Sequence, residues 1–339
     1  MDKLHLSTLL MILTAWSFIA SAQKQKKDQV VLLKTGQLQN KPQRNYYYAY
    51  SCDGFNQDRD DVAGSAMTLA LFDRAGLSDR IVHFHFNTNF GGEPKHAGEH
   101  RKSVLETAVL FKIIQDVNGK DAFFDVSSSE DEKNAAVAHL SVQFRKATKK
   151  EPLMIFAAGG VQVPYAALKK AIDDGASKKA LQFVTFISHA KANEQTARKN
   201  SPNPDYQKNW DDLKLLSPDV HFIDYTSPLV NGRREGGVNQ SQNSTGWEQS
   251  PRSKRSGAAA WQWLAGYGGH VEGFGFSGTK GEWLLGRLKA AGAPEIGRNG
   301  NAEGDASDAG MVFAILPGGR IDATMEEIRD YFMSNPVSK

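Results

Sequence analysis

The chain has 339 residues, a formal net charge of +3 and a single cysteine, Cys52. That length supports one large domain with its own core. One cysteine excludes an internal disulfide framework, and a nearly balanced charge with only short basic runs excludes an electrostatic nucleic-acid footprint.

Residues 1–22 read as a cleaved export signal. Lys3 supplies the positive start, residues 9–20 an apolar run, and Ala20-Ser21-Ala22 a small-residue cleavage site. The expectation is a secreted or periplasmic protein without stable membrane insertion. Residues 23–44 are polar and basic and read as a leader. Residues 45–339 then form one domain, with an aromatic and Gly-rich C-terminal part.

The first strand is expected in the aromatic run Tyr46-Tyr47-Tyr48-Ala49-Tyr50. It leads into Ser51-Cys52-Asp53-Gly54-Phe55-Asn56-Gln57-Asp58-Arg59-Asp60-Asp61, where four carboxylates fall within nine positions. A helical pattern follows over residues 62–75. Carboxylates crowded this closely repel one another, and a hard cation such as Ca²⁺ or Mg²⁺ between them would relieve that. The alternative is a solvated acidic loop whose last aspartates favour a helix dipole.

Residues 80–86 alternate in strand formers and end at Asn87-Thr88-Asn89. The 3–4 spacing of Val104, Ala108 and Phe111 predicts a helix over residues 100–115. A short strand at residues 121–126 precedes Ser127-Ser128-Ser129, a good N-cap for a helix over residues 130–147. Residues 153–158 form a continuous apolar run, as expected of a strand buried on both faces, and close on Gly159-Gly160. A helix over residues 163–174, a strand over 183–187 and a weaker strand over 220–224 follow. Residues 231–257 look like a long polar loop, and 282–291 like a short helix. Residues 311–316 fit either helix or strand, and a closing helix is expected over residues 325–333.

This alternation predicts an α/β protein, a mostly parallel sheet with helices on both faces. Ligands of such sheets bind outside the carboxyl ends of the strands. Asp53 follows the first strand, Asn87 with Asn89 the second, Asp125 ends the third, Gly159-Gly160 follows the fourth, and His189 with Asn193 and Glu194 follows the fifth, all at that edge. Each alone could be a turn residue; five together point to a site.

Cys52-Asp53-Gly54 with Asp60-Asp61-Val62-Ala63 resembles the D-x-D-P-G-x-D-D-A signature of the inosine-uridine-preferring nucleoside hydrolases. In the same order, Asn87 or Asn89 resembles the family's asparagine after the second strand. Gly159-Gly160-Val161-Gln162-Val163 resembles its G-P-L-T-N turn, Asn193-Glu194 its E-F-N region, and Ser307-Asp308-Ala309-Gly310 its H-D-P-x-A. The resemblance implies a Rossmann-type fold and one Ca²⁺. The ion would be held by Asp53, Asp61 and Asp308 with the backbone carbonyl of Gln162, and Asp60 or Asp58 could replace Asp61. It further implies that Asp53 takes a proton from water and that Asn87, Asn89 and Asn193 hold sugar hydroxyls.

The chain departs from the pattern at several positions. Ser51 replaces the first Asp, no Pro follows Asp53, the acidic turn is longer, and Ser307 stands where the family has its leaving-group histidine. His189, Glu194, Glu303 and Asp305 are candidate replacement acids. Trp247 and the aromatic residues of 258–278 offer more ring surface than a nucleoside needs, so a few could stack on a pyranose face. These features favour a calcium-dependent hydrolase of glycosidic bonds acting on an extracellular glycan or glycoside. A nucleoside N-ribohydrolase and a non-catalytic Ca²⁺-dependent sugar-binding protein are the alternatives. There is no G-x-x-x-x-G-K-[ST] loop for phosphoryl transfer, and the spacing from Asp53 fails the EF-hand pattern.

Overall fold

The computed structural model describes residues 43–53, 60–88, 97–114, 122–188, 208–224, 229–230, 233–234, 279–291, 307–316 and 331. Strand β1 (Tyr47–Cys52) leads to helix α1 (Asp60–Arg74), and β2 (Ile81–Phe86) to α2 (Ala97–Leu110). Strand β3 (Phe123–Asp125) leads to α3 (Glu130–Lys146), and β4 (Leu153–Ala158) to α4 (Gln162–Asp173) and the short α5 (Lys178–Leu181). Strand β5 (Val184–Ser188), α6 (Trp210–Leu216) and β6 (His221–Asp224) complete the sheet. A small hairpin (Leu229–Val230 with Arg233–Arg234), α7 (Thr279–Ala290) and α8 (Ser307–Ile315) follow.

The six strands lie in the order β3-β2-β1-β4-β5-β6, and every neighbouring pair is parallel. This is the doubly wound arrangement, with the chain reversing direction across the sheet between β1 and β4. The expected α/β class is therefore observed.

Parallel strands covered on both faces must be apolar along their whole length, and β1 and β4 are buried almost throughout. Alternate residues supply two cores. Tyr48, Tyr50, Phe84, Phe86, Phe123 and Phe156 meet α1, α2, α7 and α8 on one face. Ala49, Ile155, Ala157, Val184 and Phe186 meet α3, α4 and α6 on the other. The aromatic run of β1 is core: Tyr50 stacks on Phe84 with centroids 4.8 Å apart, and Tyr48 packs on Phe72 at 5.1 Å. Each such ring contributes about 1.5–3 kcal/mol through burial.

The serine run caps α3 as expected, with Ser129 Oγ accepting from the Glu132 backbone N–H at 3.1 Å. Of residues 311–316, open between helix and strand in the sequence, 311–315 belong to α8 and Leu316 follows its end. No described helix is long and apolar enough to cross a membrane. The export signal, residues 23–42 of the leader, the aromatic segment 258–278 and all of the expected closing helix except Tyr331 lie outside the described residues.

On the α3 side of β2, three histidines form a chain. His83 Nδ1 lies 3.0 Å from His139 Nδ1, and His83 Nε2 lies 2.8 Å from His85 Nδ1. Burial pushes the His85 imidazole down to about 3, and burial with its two histidine neighbours drives His83 well below its ordinary value. The folded chain holds both neutral while the unfolded chain protonates them, so protons favour unfolding. Stability is expected to be full above about pH 6.5, the ordinary histidine value, and to fall steadily toward about pH 3. Urea unfolding across that window checks this, and substituting His83 and His85 together by Gln should flatten the slope.

Candidate metal centre at the carboxyl end of strand β1

Strand β1 is central, so its last residues reach the point where the sheet's crossovers diverge. Asp53 runs directly over Gly159, which follows β4. A Cβ on Gly159 would lie 2.5 Å from the Asp53 backbone N and 2.8 Å from its Cβ, so only glycine permits this approach. Thr88, just after β2, ties the neighbouring strand end down, donating from Oγ1 to the Cys52 carbonyl at 2.7 Å. Three strand ends are thus fixed together.

Cys52 turns toward α1 and α2. Its Sγ lies 3.5 Å from Ser65 Oγ on α1, 3.5 Å from His100 Nε2 on α2, and 3.7 Å from the carbonyl of His85. Ser65 Oγ is 2.8 Å from the same His100 Nε2. Asp61, in the first turn of α1, completes the group. One ligand atom each from Cys52, Asp61 and His100 lie within 4.8 Å of one another, all three residues being buried. This is the one such group of histidine, cysteine or carboxylate side chains among the described residues, and it could hold a metal ion.

The orientation of His100 follows from its surroundings. Asn87 Nδ2 donates to Asp125 Oδ1 at 3.0 Å and to the Ala97 carbonyl at 3.3 Å, which turns its Oδ1 toward His100 Nδ1 at 2.8 Å. An amide oxygen only accepts, so His100 carries its proton on Nδ1. Nε2 then presents a lone pair to Cys52 and Ser65. Burial pushes the His100 imidazole down to about 3, against a smaller upward pull from Asp125, and the ring stays neutral. Asp125 is itself held by Arg101 Nη1 at 3.3 Å and Ser127 Oγ at 2.9 Å. Asn87 adopts a left-handed backbone with φ +61°, unusual outside glycine and best tolerated by Asn.

Of the expected carboxylate ligands only Asp61 joins this group: Asp53 and Asp308 lie at the same end of the sheet, but Asp53, Asp61 and Asp308 do not bring their carboxylates within 4.8 Å of one another. Asp308, in the first turn of α8, packs on α1, where a Cβ added to Gly64 would meet Asp308 Cβ at 3.2 Å. Asp308, Cys52 and Asp61 all act on the buried Tyr50 phenol, whose pKa is raised mainly by burial and further by these groups. Gln162 opens α4. Its side-chain amide is buried, with neither Nε2 nor Oε1 hydrogen-bonded among the described residues. Asp60 is the first residue of α1. Asn87, expected to hold a sugar hydroxyl, is instead buried, with its amide engaged by His100, Asp125 and Ala97. Asn89, His189, Asn193, Glu194 and Trp247, with the candidate acids Glu303 and Asp305, lie outside the described residues.

Sequence reasoning missed Cys52, Ser65 and His100 as partners. Cys52 and His100 are separated by 48 positions, with no motif joining them. The one available signal was the sole cysteine placed directly before the acidic turn. A large cleft lined by Arg44, Arg80, Lys149, Lys150 and His221 lies at the opposite, amino-terminal edge of the strands, away from these groups. No protein-family model, curated protein or solved structure matches this chain.

Replacing Asn87 by Ala removes the partner of His100 Nδ1–H, while Asp125 keeps Arg101 and Ser127, and should cost about 1–3 kcal/mol for the orphaned donor. The left-handed backbone adds about 1–2 kcal/mol of strain. Asn87→Gly should recover the strain and not the hydrogen bonds. Urea midpoints of the two variants separate the contributions.

Proposed function

We propose that this protein is a metal-dependent hydrolase of glycosidic bonds, acting on an extracellular glycan or glycoside at the carboxyl end of strand β1. The observation that supports the reading is that two buried carboxylates from distant parts of the chain lie near enough to one phenol, Tyr50, for both to raise its pKa. Asp61 near the start of the fold and Asp308 near its end both act on Tyr50, and Asp308 packs on Gly64 one turn beyond Asp61. Burying carboxylates is costly, and a divalent cation shared between them offsets that cost.

The ion proposed for this role is Ca²⁺, with the carboxylates of Asp53, Asp61 and Asp308 as oxygen ligands. The backbone carbonyl expected from Gln162 is turned into helix α4, which leaves the Gln162 side-chain amide as its available oxygen. That set suits a hard cation, and the unsatisfied buried amide of Gln162 is consistent with a polar ligand at the start of α4. Bound there, the ion would acidify a water and orient sugar hydroxyls. Asp53, half-buried beside Gly159, is the proposed base for that water. Attack at the anomeric carbon passes through an oxocarbenium-like state, in which hydrogen bonds to ring hydroxyls tighten. The proposed proton donors are His189 and Glu194. The proposed contacts to sugar are Asn89, Asn193 and Trp247.

The test is turnover by the full chain on a panel of aryl glycosides and polysaccharides, beside inosine and uridine, with Ca²⁺ or chelator. Glycoside cleavage should require Ca²⁺ and fall on the order of 10²–10⁴-fold in Asp53→Ala, the range for loss of a general base. Faster base release from inosine or uridine would replace this reading with nucleoside hydrolysis. Calcium-dependent sugar binding without turnover on any substrate would replace it with a binding protein.

A further inference from the structure

The trio that converges most tightly does not have the all-oxygen chemistry of a Ca²⁺ site. It offers one sulfur, one nitrogen and one carboxylate oxygen. We propose that Cys52 Sγ, His100 Nε2 and Asp61 bind a single Zn²⁺ ion, with a strong preference for zinc over calcium.

Four observations converge on this. The first is donor type: thiolate, imidazole and carboxylate are the ligands zinc takes, whereas Ca²⁺ takes oxygen. The second is spacing. Zn–S near 2.3 Å and Zn–N near 2.0–2.1 Å put two ligands of a tetrahedral ion roughly 3.5 Å apart. Cys52 Sγ and His100 Nε2 are 3.5 Å apart, and Asp61 falls within 4.8 Å of both.

The third is preorganisation. A ligating histidine needs its other nitrogen held as a donor, and Asn87 does this for His100 at 2.8 Å. Asn87 is fixed in turn by Asp125 and the Ala97 carbonyl, and Asp125 by Arg101. The Nε2 lone pair already faces the cluster, so the ring need not turn, and only the Ser65 hydroxyl, 2.8 Å away, has to give up its hydrogen bond to it.

The fourth is charge. One thiolate and one carboxylate neutralise the two charges of the ion, so the occupied site is neutral overall and suits its burial. On binding, the Cys52 S–H bond breaks, its proton leaves to solvent, and an S–Zn bond forms. Ser65 Oγ, 3.5 Å from Sγ and 2.8 Å from Nε2, lies within reach of the same ion.

Asp61 belongs to this set and to the Ca²⁺ set proposed above, so the two ions compete for it. The zinc proposal does not rest on the hydrolase reading, because its test needs no turnover. Chelator-treated full chain is titrated with Co²⁺, a spectroscopic substitute for Zn²⁺. The expected result is one Co²⁺ per chain with a near-ultraviolet thiolate-to-cobalt band, erased by stoichiometric Zn²⁺ and reduced by Ca²⁺ only at large excess. Cys52→Ala should abolish the band, and Asn87→Ala should weaken Co²⁺ binding about 10- to 100-fold.

If these variants fail to fold, X-ray absorption of the zinc-loaded wild type decides. Cys52 is the sole cysteine. One sulfur at the thiolate distance in the coordination shell therefore supports the site, and a shell of oxygen and nitrogen alone overturns it. Absence of the cobalt band in the wild type, or displacement of Co²⁺ by Ca²⁺ at comparable concentration, also overturns it.

Discussion

The close approach of Asp53 to Gly159 is the constraint on which the site depends. Two parallel strands at the centre of a doubly wound sheet end side by side, and the chain leaving β1 passes over the chain leaving β4 with no room for a side chain between them. This contact, with the Thr88 anchor on the Cys52 carbonyl, fixes where β1 stops. Everything chemically interesting among the described residues is measured from that stop. Cys52 is its last strand residue, Asp53 its first loop residue, and Asp61 lies in the first turn of the helix that follows.

The strand order decides which groups gather there. Because β1 lies between β2 and β4, the residues closing both neighbours reach it: Asn87 and Thr88 from one side, Gly159 and the start of α4 from the other. The returning helix α8 then covers α1 and brings in Asp308. Glycine at position 64 costs α1 about 1 kcal/mol of helix propensity. That cost is offset by the close contact it permits with Asp308.

Two polar networks lie on opposite faces of β2. Alternation along the strand sends Phe84 and Phe86 to the α1–α2 face and His83 and His85 to the α3 face. On the first face, His100 is locked by Asn87 with its Nε2 directed at Cys52. On the second, the histidines pair with one another. Burial holds His83, His85 and His100 neutral, which keeps their ring nitrogens available as acceptors or ligands instead of as cations.

Much of the fold was legible because its signals are local. The unbroken apolar run of β4, the alternating β2 and the serine cap of α3 each declare one element, and their alternation declares the class. Strand order was not legible, since it depends on which crossovers turn back, and no single segment encodes that. The acidic residues were legible as a group because they crowd within one turn of sequence. The Cys52–His100 pair was not, since any of the nine histidines could have met the one cysteine, and only the packing of α2 on α1 selects His100. Asn87 was noticed for its place after β2, yet its task follows from a positive φ and from Asp125, neither of which sequence displays.

The central claim is that the chemistry of this protein gathers around Asp61 at the carboxyl end of β1. Anomalous diffraction from crystals soaked separately in zinc and in a calcium substitute such as a lanthanide tests it most directly. The account predicts an ion bonded to Asp61 in each case, with Cys52 and His100 completing the zinc site and Asp308 the lanthanide site. Metal peaks found only away from Asp53, Asp61 and Asp308 would contradict it.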